Sequence, residues 1–396
     1  MLNQPAQITN RTVPGESGVF QTTLGRYDRF SSWQRALVLA LFLRIVYSLI
    51  AAVVTMVQPV NWQLVRSNAL TENLPPPNHS LDYLLLGTWE RFDTLWYLHI
   101  ASRSYDRPES VVFFPLYPWL IRVGSQLLQP AAAALLVSTL AAFFLFWGLH
   151  DLLLSELPPE LVKRSILICA VWPASFIFFA GYPESLVFAL VVWSLCMACA
   201  DRWLMAAVLG VAAAMTKAVG IVVLVPLLVL AIRRKQATAW AVLAVPLGSA
   251  GFMVWLYWSG HRSIASAYEQ YWRTSTALPW TTLWTSIRTL LARPNPILAL
   301  NLAFLVAACV LVAWSRLRME YVLYAAAAMV VFLAKQTEPP LQSTMRYLLI
   351  VFPAFVGLAR FLQGPTLRPR FGMVCAALFV INVGLLWLFL GWSLVL

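Results

Sequence analysis

Apolar runs alternate with short polar stretches along nearly the whole chain, and a bilayer crossing needs about 20 predominantly apolar residues. The pattern predicts spans at 35–57, 128–150, 165–182, 183–200, 203–216, 218–232, 237–258, 295–314, 319–335, 344–362 and 371–393. The stretch 203–232 is long for one helix and carries Thr216-Lys217-Ala218-Val219-Gly220 at its middle. A break at Lys217 splits it into two short helices. The split also keeps Arg233-Arg234-Lys235 on the same side as the other short basic loops, as the bias of Lys and Arg toward cytoplasmic loops requires. The expectation is an all-α polytopic membrane protein of about eleven transmembrane helices with its N-terminus inside. Residues 1–34 read as a polar cytoplasmic tail without the apolar core of a signal peptide, and 35–396 as a single transmembrane domain. Two long segments, 58–127 and 259–294, then fall on the external side.

Within the first external segment the pattern becomes amphipathic. Winding at about 100° per residue puts Trp89, Phe92, Asp93, Trp96, Tyr97 and Ile100 on one helical face, with Arg91 pointing the other way. Asp93 thus takes a place where a hydrophobe is expected. A carboxylate among aromatic rings loses hydration, which raises its basicity unless a nearby cation or hydrogen bond offsets the loss. Glu90 falls at the edge of the same stripe beside Tyr97 and is a second candidate acid. The Pro-rich Leu74-Pro75-Pro76-Pro77-Asn78, Phe113 to Trp119, and the Trp- and Tyr-rich 268–284 complete the two segments, whose aromatics suit the headgroup layer.

Composition agrees with a membrane protein. The 396 residues are 61% hydrophobic and 11% charged, with a mean hydropathy of +0.74, against about 25% charged in a soluble domain. The net charge of +12 raises nucleic acid as a partner, but no basic run exceeds Arg233-Arg234-Lys235, and topology accounts for the charge, so nucleic acid is set aside. Cysteines 169, 196, 199, 309 and 375 all sit in apolar runs, so even Cys196 and Cys199 read as small buried hydrophobes. His79, His99, His150 and His261 share no ligand spacing, and no metal ligands are assigned. The sequons at Asn10 and Asn78 are formal only.

The topology brings Asp93, Glu184, Lys217 and Arg346 from four parts of the chain to the external face. Ionisable groups at a membrane are costly, so such a gathering marks a candidate site, and a carboxylate with cations beside an apolar cavity suits a lipid carrying a phosphate. Glu184 also suits a plain helix N-terminus, and Lys217 a snorkelling helix end.

Trp89-Glu90-Arg91-Phe92-Asp93 with Trp96-Tyr97, followed by Phe113-Phe114-Pro115-Leu116-Tyr117-Pro118, resembles the signature of the PIG-V-like mannosyltransferases. Trp172-Pro173-Ala174-Ser175-Phe176, Tyr182-Pro183-Glu184-Ser185-Leu186, Thr216-Lys217-Ala218-Val219-Gly220 and Ser343-Thr344-Met345-Arg346-Tyr347 with Phe352-Pro353 extend the resemblance over about residues 35 to 365. It implies a GT-C helical bundle with amphipathic helices in the first external loop. The implied reaction moves a hexose, typically mannose, from a polyprenyl-phosphate carrier to a glycan, glycolipid or protein acceptor on the non-cytoplasmic face. That face belongs to the cell membrane in a prokaryote and the endoplasmic reticulum in a eukaryote.

By this resemblance Asp93 is the general base, with Glu90 its rival. Lys217 and Arg346 are the candidates for the donor phosphate, with Glu184, Tyr347, Trp89, Trp96 and Tyr97 completing the site. Direct displacement would invert the anomeric centre. A divalent cation, Mg²⁺ or Mn²⁺, held between Asp93 and the phosphate is left open, because Mg²⁺ often uses one or two carboxylates. The rival readings are a transporter or flippase of a lipid-linked sugar, and a non-catalytic scaffold.

Overall fold

The computed structural model describes residues 31–58 and 80–393, together with 60, 65, 70, 74 and 78. Most of the tail expected at 1–34, prolines 75–77, the sequon at Asn10 and His79 of the second sequon lie outside the described residues. In order, the elements are α1 (Ser32–Val57), α2 (Leu81–Leu85), α3 (Asp93–Arg103), α4 (Leu116–Gly124), α5 (Pro130–Leu154), α6 (Pro159–Val171), α7 (Glu184–Cys199), α8 (Trp203–Thr216) and α9 (Leu224–Arg234). They continue as α10 (Leu247–Trp258), α11 (Ile264–Trp272), β1 (Thr274–Thr276), α12 (Pro279–Ala292), α13 (Pro296–Trp314), α14 (Met319–Leu333), β2 (Lys335–Thr337), α15 (Thr344–Tyr347), α16 (Phe352–Phe361) and α17 (Phe371–Leu390). Short 3₁₀ turns join several of them.

Helical segments stand at every predicted span. Five, containing α1, α5, α10, α13 and α17, are long and apolar enough to cross a membrane, and α15 with α16, bent by 86°, would make a sixth. α7, α8 and α14 are apolar but shorter. Prolines explain much of this interruption. Pro173 disfavours helical backbone at Trp172, where α6 ends, and Pro183 directly precedes α7. Where proline sits in a first turn, as in α5, α12 and α13, its missing N–H is one the helix could not use, and Asn295 caps α13 by accepting from Ile297 and Leu298.

α5 packs along α7, α7 along α8, α1 along α5, and α13 along α16. Small side chains allow the closest of these approaches: Ala206, Ala207, Gly210, Ala213 and Ala214 form the buried face of α8, as expected where helices associate in lipid. α8 ends at Thr216, Lys217 is extended, and residues 218–223 fold back against α8 as a 3₁₀ turn. A Cβ on Gly220 would lie 2.0 Å from the Ala213 carbonyl, so only glycine permits the reversal. The break expected at Lys217 is thus present.

Two expectations are corrected. The fold is not purely α: β1 and β2 pair antiparallel, with Thr274 opposite Thr337, Ser275 opposite Gln336 and Thr276 opposite Lys335. Nor is 89–101 one amphipathic helix at a surface. Residues 87–89 form a 3₁₀ turn, Phe92 takes φ 48°, and the α-helix starts at Asp93. From there the expected phase holds, but Trp96, Tyr97 and Ile100 are buried in a second, smaller core with Phe113, Phe114, Tyr117 and Phe252. The aromatics facing outward are others, among them Trp119, Trp258, Trp280 and Trp284.

Candidate active site

Asp93 is aimed by its neighbours. Phe92 lies in a region of backbone space that non-glycine residues rarely occupy, at a cost of about 1–3 kcal/mol. The strain is held by its ring, 5.4 Å from Phe389 and 4.7 Å from Trp392. The Asp93 backbone N–H donates to the Tyr182 hydroxyl at 3.3 Å. Tyr182 comes close because Gly181 lies against Thr94, where a Cβ would meet the threonine methyl at 2.5 Å. The following Glu184 is fixed by a short network: the Tyr117 and Ser138 hydroxyls are 2.7 Å apart, Ser138 donates to the Tyr182 carbonyl, and Ser185 donates to the Ser138 carbonyl.

Four of the predicted residues meet. Arg346 donates to Asp93 Oδ2 at 2.6 Å, and its Nε lies 3.3 Å from Glu184 Oε1. Lys217 donates to the same Glu184 oxygen at 2.5 Å. The cation beside Asp93 is therefore Arg346, from 253 residues away. Glu184 begins α7, and its side chain pairs with the two cations. All four line one cavity of about 180 Å³. Phe113, Phe114, Tyr97, Tyr268 and Trp272 form an aromatic wall, and Val187, Val219, Val331, Phe332 and Ile350 an apolar side. Val331, on this apolar side, is 37% exposed.

Lys335 and Tyr347 complete the lining. Lys335 Nζ donates to the Tyr347 hydroxyl at 3.4 Å and sits 4.5 Å from the Tyr268 ring centre. The Tyr347 ring has Lys217 at 5.1 Å and Arg346 at 5.3 Å, distances at which cations are attracted to an aromatic face. Burial pushes the phenols of Tyr97 and Tyr268 up, so both are neutral hydroxyl groups at ordinary pH.

The other predicted site residues lie elsewhere. Trp89 is buried with the Arg44 guanidinium 4.9 Å above its ring. Trp96 stands behind the cavity wall, stacked on Phe113 at 5.8 Å and edge-on to Trp272 at 5.6 Å. Glu90 lines a separate cavity with Asp82, Tyr83 and Arg91, because the chain turns between it and Asp93. Burial pushes its carboxyl up, only partly opposed by Arg91. Arg91 itself is bonded to the Leu390 and Gly87 carbonyls and the Tyr83 hydroxyl.

The residues do not fit a resident divalent ion. Asp93 and Glu184 are each bonded to a cation, Lys335 faces the same space, and no group of three His, Cys, Asp or Glu side chains gathers among the described residues.

Comparison with known proteins finds relatives in part of the chain. It is 34% identical over 123 residues to GPI alpha-1,6-mannosyltransferase 2 of Homo sapiens, covering 28% of this chain and 24% of the relative. To the protein of the same name from Mus musculus it is 34% identical over 134 residues, covering 30% and 27%. The chain thus spans about a quarter of the length of the curated relatives it matches. No family model matches it, and no solved structure matches it. The relatives bear out the resemblance to PIG-V-like mannosyltransferases.

Proposed function

We propose that the protein is a GT-C-type mannosyltransferase, which moves mannose from a polyprenyl-phosphate carrier to an acceptor hydroxyl on the non-cytoplasmic face of its membrane. The observation that carries this reading is the pairing of Asp93 with Arg346 in a cavity that also holds Lys217, Lys335 and Glu184. Net charge in the cavity is positive, from three cations against two carboxylates. That suits a substrate bringing phosphate. The apolar side at Val331 and Phe332 suits the carrier's chain, and the aromatic wall suits the sugar ring.

The chemistry follows from these groups. An acceptor hydroxyl attacks the anomeric carbon from the face opposite the phosphate, its C–O bond forms as the bond to the phosphate oxygen breaks, and configuration inverts. The hydroxyl proton passes to the Asp93 carboxylate, a role worth about 10²–10⁴ in rate. The lipid phosphate leaves with added negative charge, which fixed cations in a partly dehydrated cavity stabilise more than water would. Arg346 orients Asp93 until the phosphate competes for the same guanidinium, whose fork can grip phosphate oxygens. No covalent intermediate and no metal-assisted step is needed.

The test is transfer itself. Purified protein receives polyprenyl-phosphate-[³H]mannose and a membrane lipid extract; a labelled product distinct from the donor is the expected result. No new product, with labelled donor crossing the bilayer of reconstituted vesicles, would replace the enzyme by a transporter.

A further inference from the structure

Three cations face the cavity, but two are already engaged. Arg346 bridges Asp93 and Glu184, and Lys217 is bonded to Glu184. Lys335 has no carboxylate partner among the described residues: its contacts are the Tyr347 hydroxyl and the face of Tyr268. Of these three cations Lys335 is thus the one not paired with a carboxylate among the described residues. A half-buried ammonium flanked by two rings is poorly hydrated and is satisfied best by an anion.

Its position is also built. Lys335 leads β2, opposite Thr276 of β1, so backbone hydrogen bonds tie it to the segment carrying Tyr268 and Trp272. Moreover, Lys335, Val331 and Phe332 come from one stretch of chain, so the free cation adjoins the apolar side suited to a carrier lipid.

Resting on the proposed function and deepening it, we infer that Lys335, with the Tyr347 hydroxyl, is the primary contact for the phosphate of the lipid-linked donor. Lys217 and Arg346 then hold the carboxylates in place and contribute to the phosphate only as charge develops on it. A phosphate-bearing acceptor headgroup has the same chemistry, so the donor and the acceptor are titrated separately.

Lys335→Gln is expected to raise the donor KM about tenfold or more with kcat changed far less, the acceptor KM unchanged, and Lys335→Arg restoring most of the loss, as befits a charge-assisted bond to phosphate. An unchanged donor KM, or a rise confined to the acceptor, would overturn the assignment. A second measurement uses the wild-type protein and needs no turnover. Amine acylation mapped by mass spectrometry should show Lys335 protected by polyprenyl phosphate but not by the neutral polyprenol, and equal labelling with both lipids would also overturn it. Should the wild type transfer no sugar, the glycosyltransferase reading fails while the protection experiment still judges the phosphate contact.

Discussion

Asp93, Glu184 and Glu90 are three acids in three situations, and each should respond differently to losing its charge. Asp93→Asn keeps an oxygen for Arg346 and removes the base. Transfer should fall about 10²–10⁴-fold while thermal unfolding in detergent shifts little. Glu184, 2% exposed, holds two cations on one oxygen. Glu184→Gln leaves Lys217 without a carboxylate and Arg346 with Asp93 alone, and should destabilise by about 3–5 kcal/mol, the largest loss among the three acids in thermal melts. Glu90 behaves oppositely. Its folded pKa is raised by burial, so ionised Glu90 opposes folding. Its stabilising effect is complete only below its unfolded value and is lost as pH rises through the folded one. Glu90→Gln should therefore melt higher than the wild type at neutral pH, the gap should close on acidification, and transfer should persist. A gap that widens toward acid would contradict that environment.

At the scale of elements, the site depends on where helices stop. Thr216 ends α8 so that Lys217 can turn inward, and the return of 218–223 needs a bare Gly220. Gly220→Ala must displace the Ala213 carbonyl or the turn, and overpacking of this kind costs about 1–3 kcal/mol or more. Loss of both melting temperature and transfer is expected; a melt and rate unchanged from the wild type would refute the reversal. This break was readable in the sequence, because charge and glycine interrupted an apolar run. So was the convergence of Asp93, Glu184, Lys217 and Arg346, which needed only the alternation of spans. The register of 89–92 was not. Nothing in a Phe announces φ 48°, a conformation held by contacts with Phe389 and Trp392, and the turn it makes leaves Trp89 and Glu90 outside the lining of the Asp93 cavity. The ladder between β1 and β2 was equally hidden, since three-residue strands from distant segments leave no periodicity. Lys335 carried a usable signal, as the same topology puts it on the face of Lys217 and Arg346. Tyr182, Tyr268 and Trp272 carried none beyond their neighbourhood.

For the whole molecule, transfer on the non-cytoplasmic face requires that the cavity open away from the cytoplasm. On a background lacking the five native cysteines, a cysteine at Arg262, exposed after α10, should react with a membrane-impermeant thiol reagent from outside. One at Lys235, exposed after α9, should react only after permeabilisation. The reverse pattern would invert the topology and move the acceptor to the cytoplasm. Whether a single carboxylate in this cavity takes the acceptor's proton is decided by single-turnover transfer from polyprenyl-phosphate-[³H]mannose, with the wild type, Asp93→Asn and Glu90→Gln side by side. Asp93→Asn should bind the donor but lose the transfer step, and Glu90→Gln should transfer at close to the wild-type rate. Transfer that survives in Asp93→Asn and vanishes in Glu90→Gln would contradict Asp93 as the base.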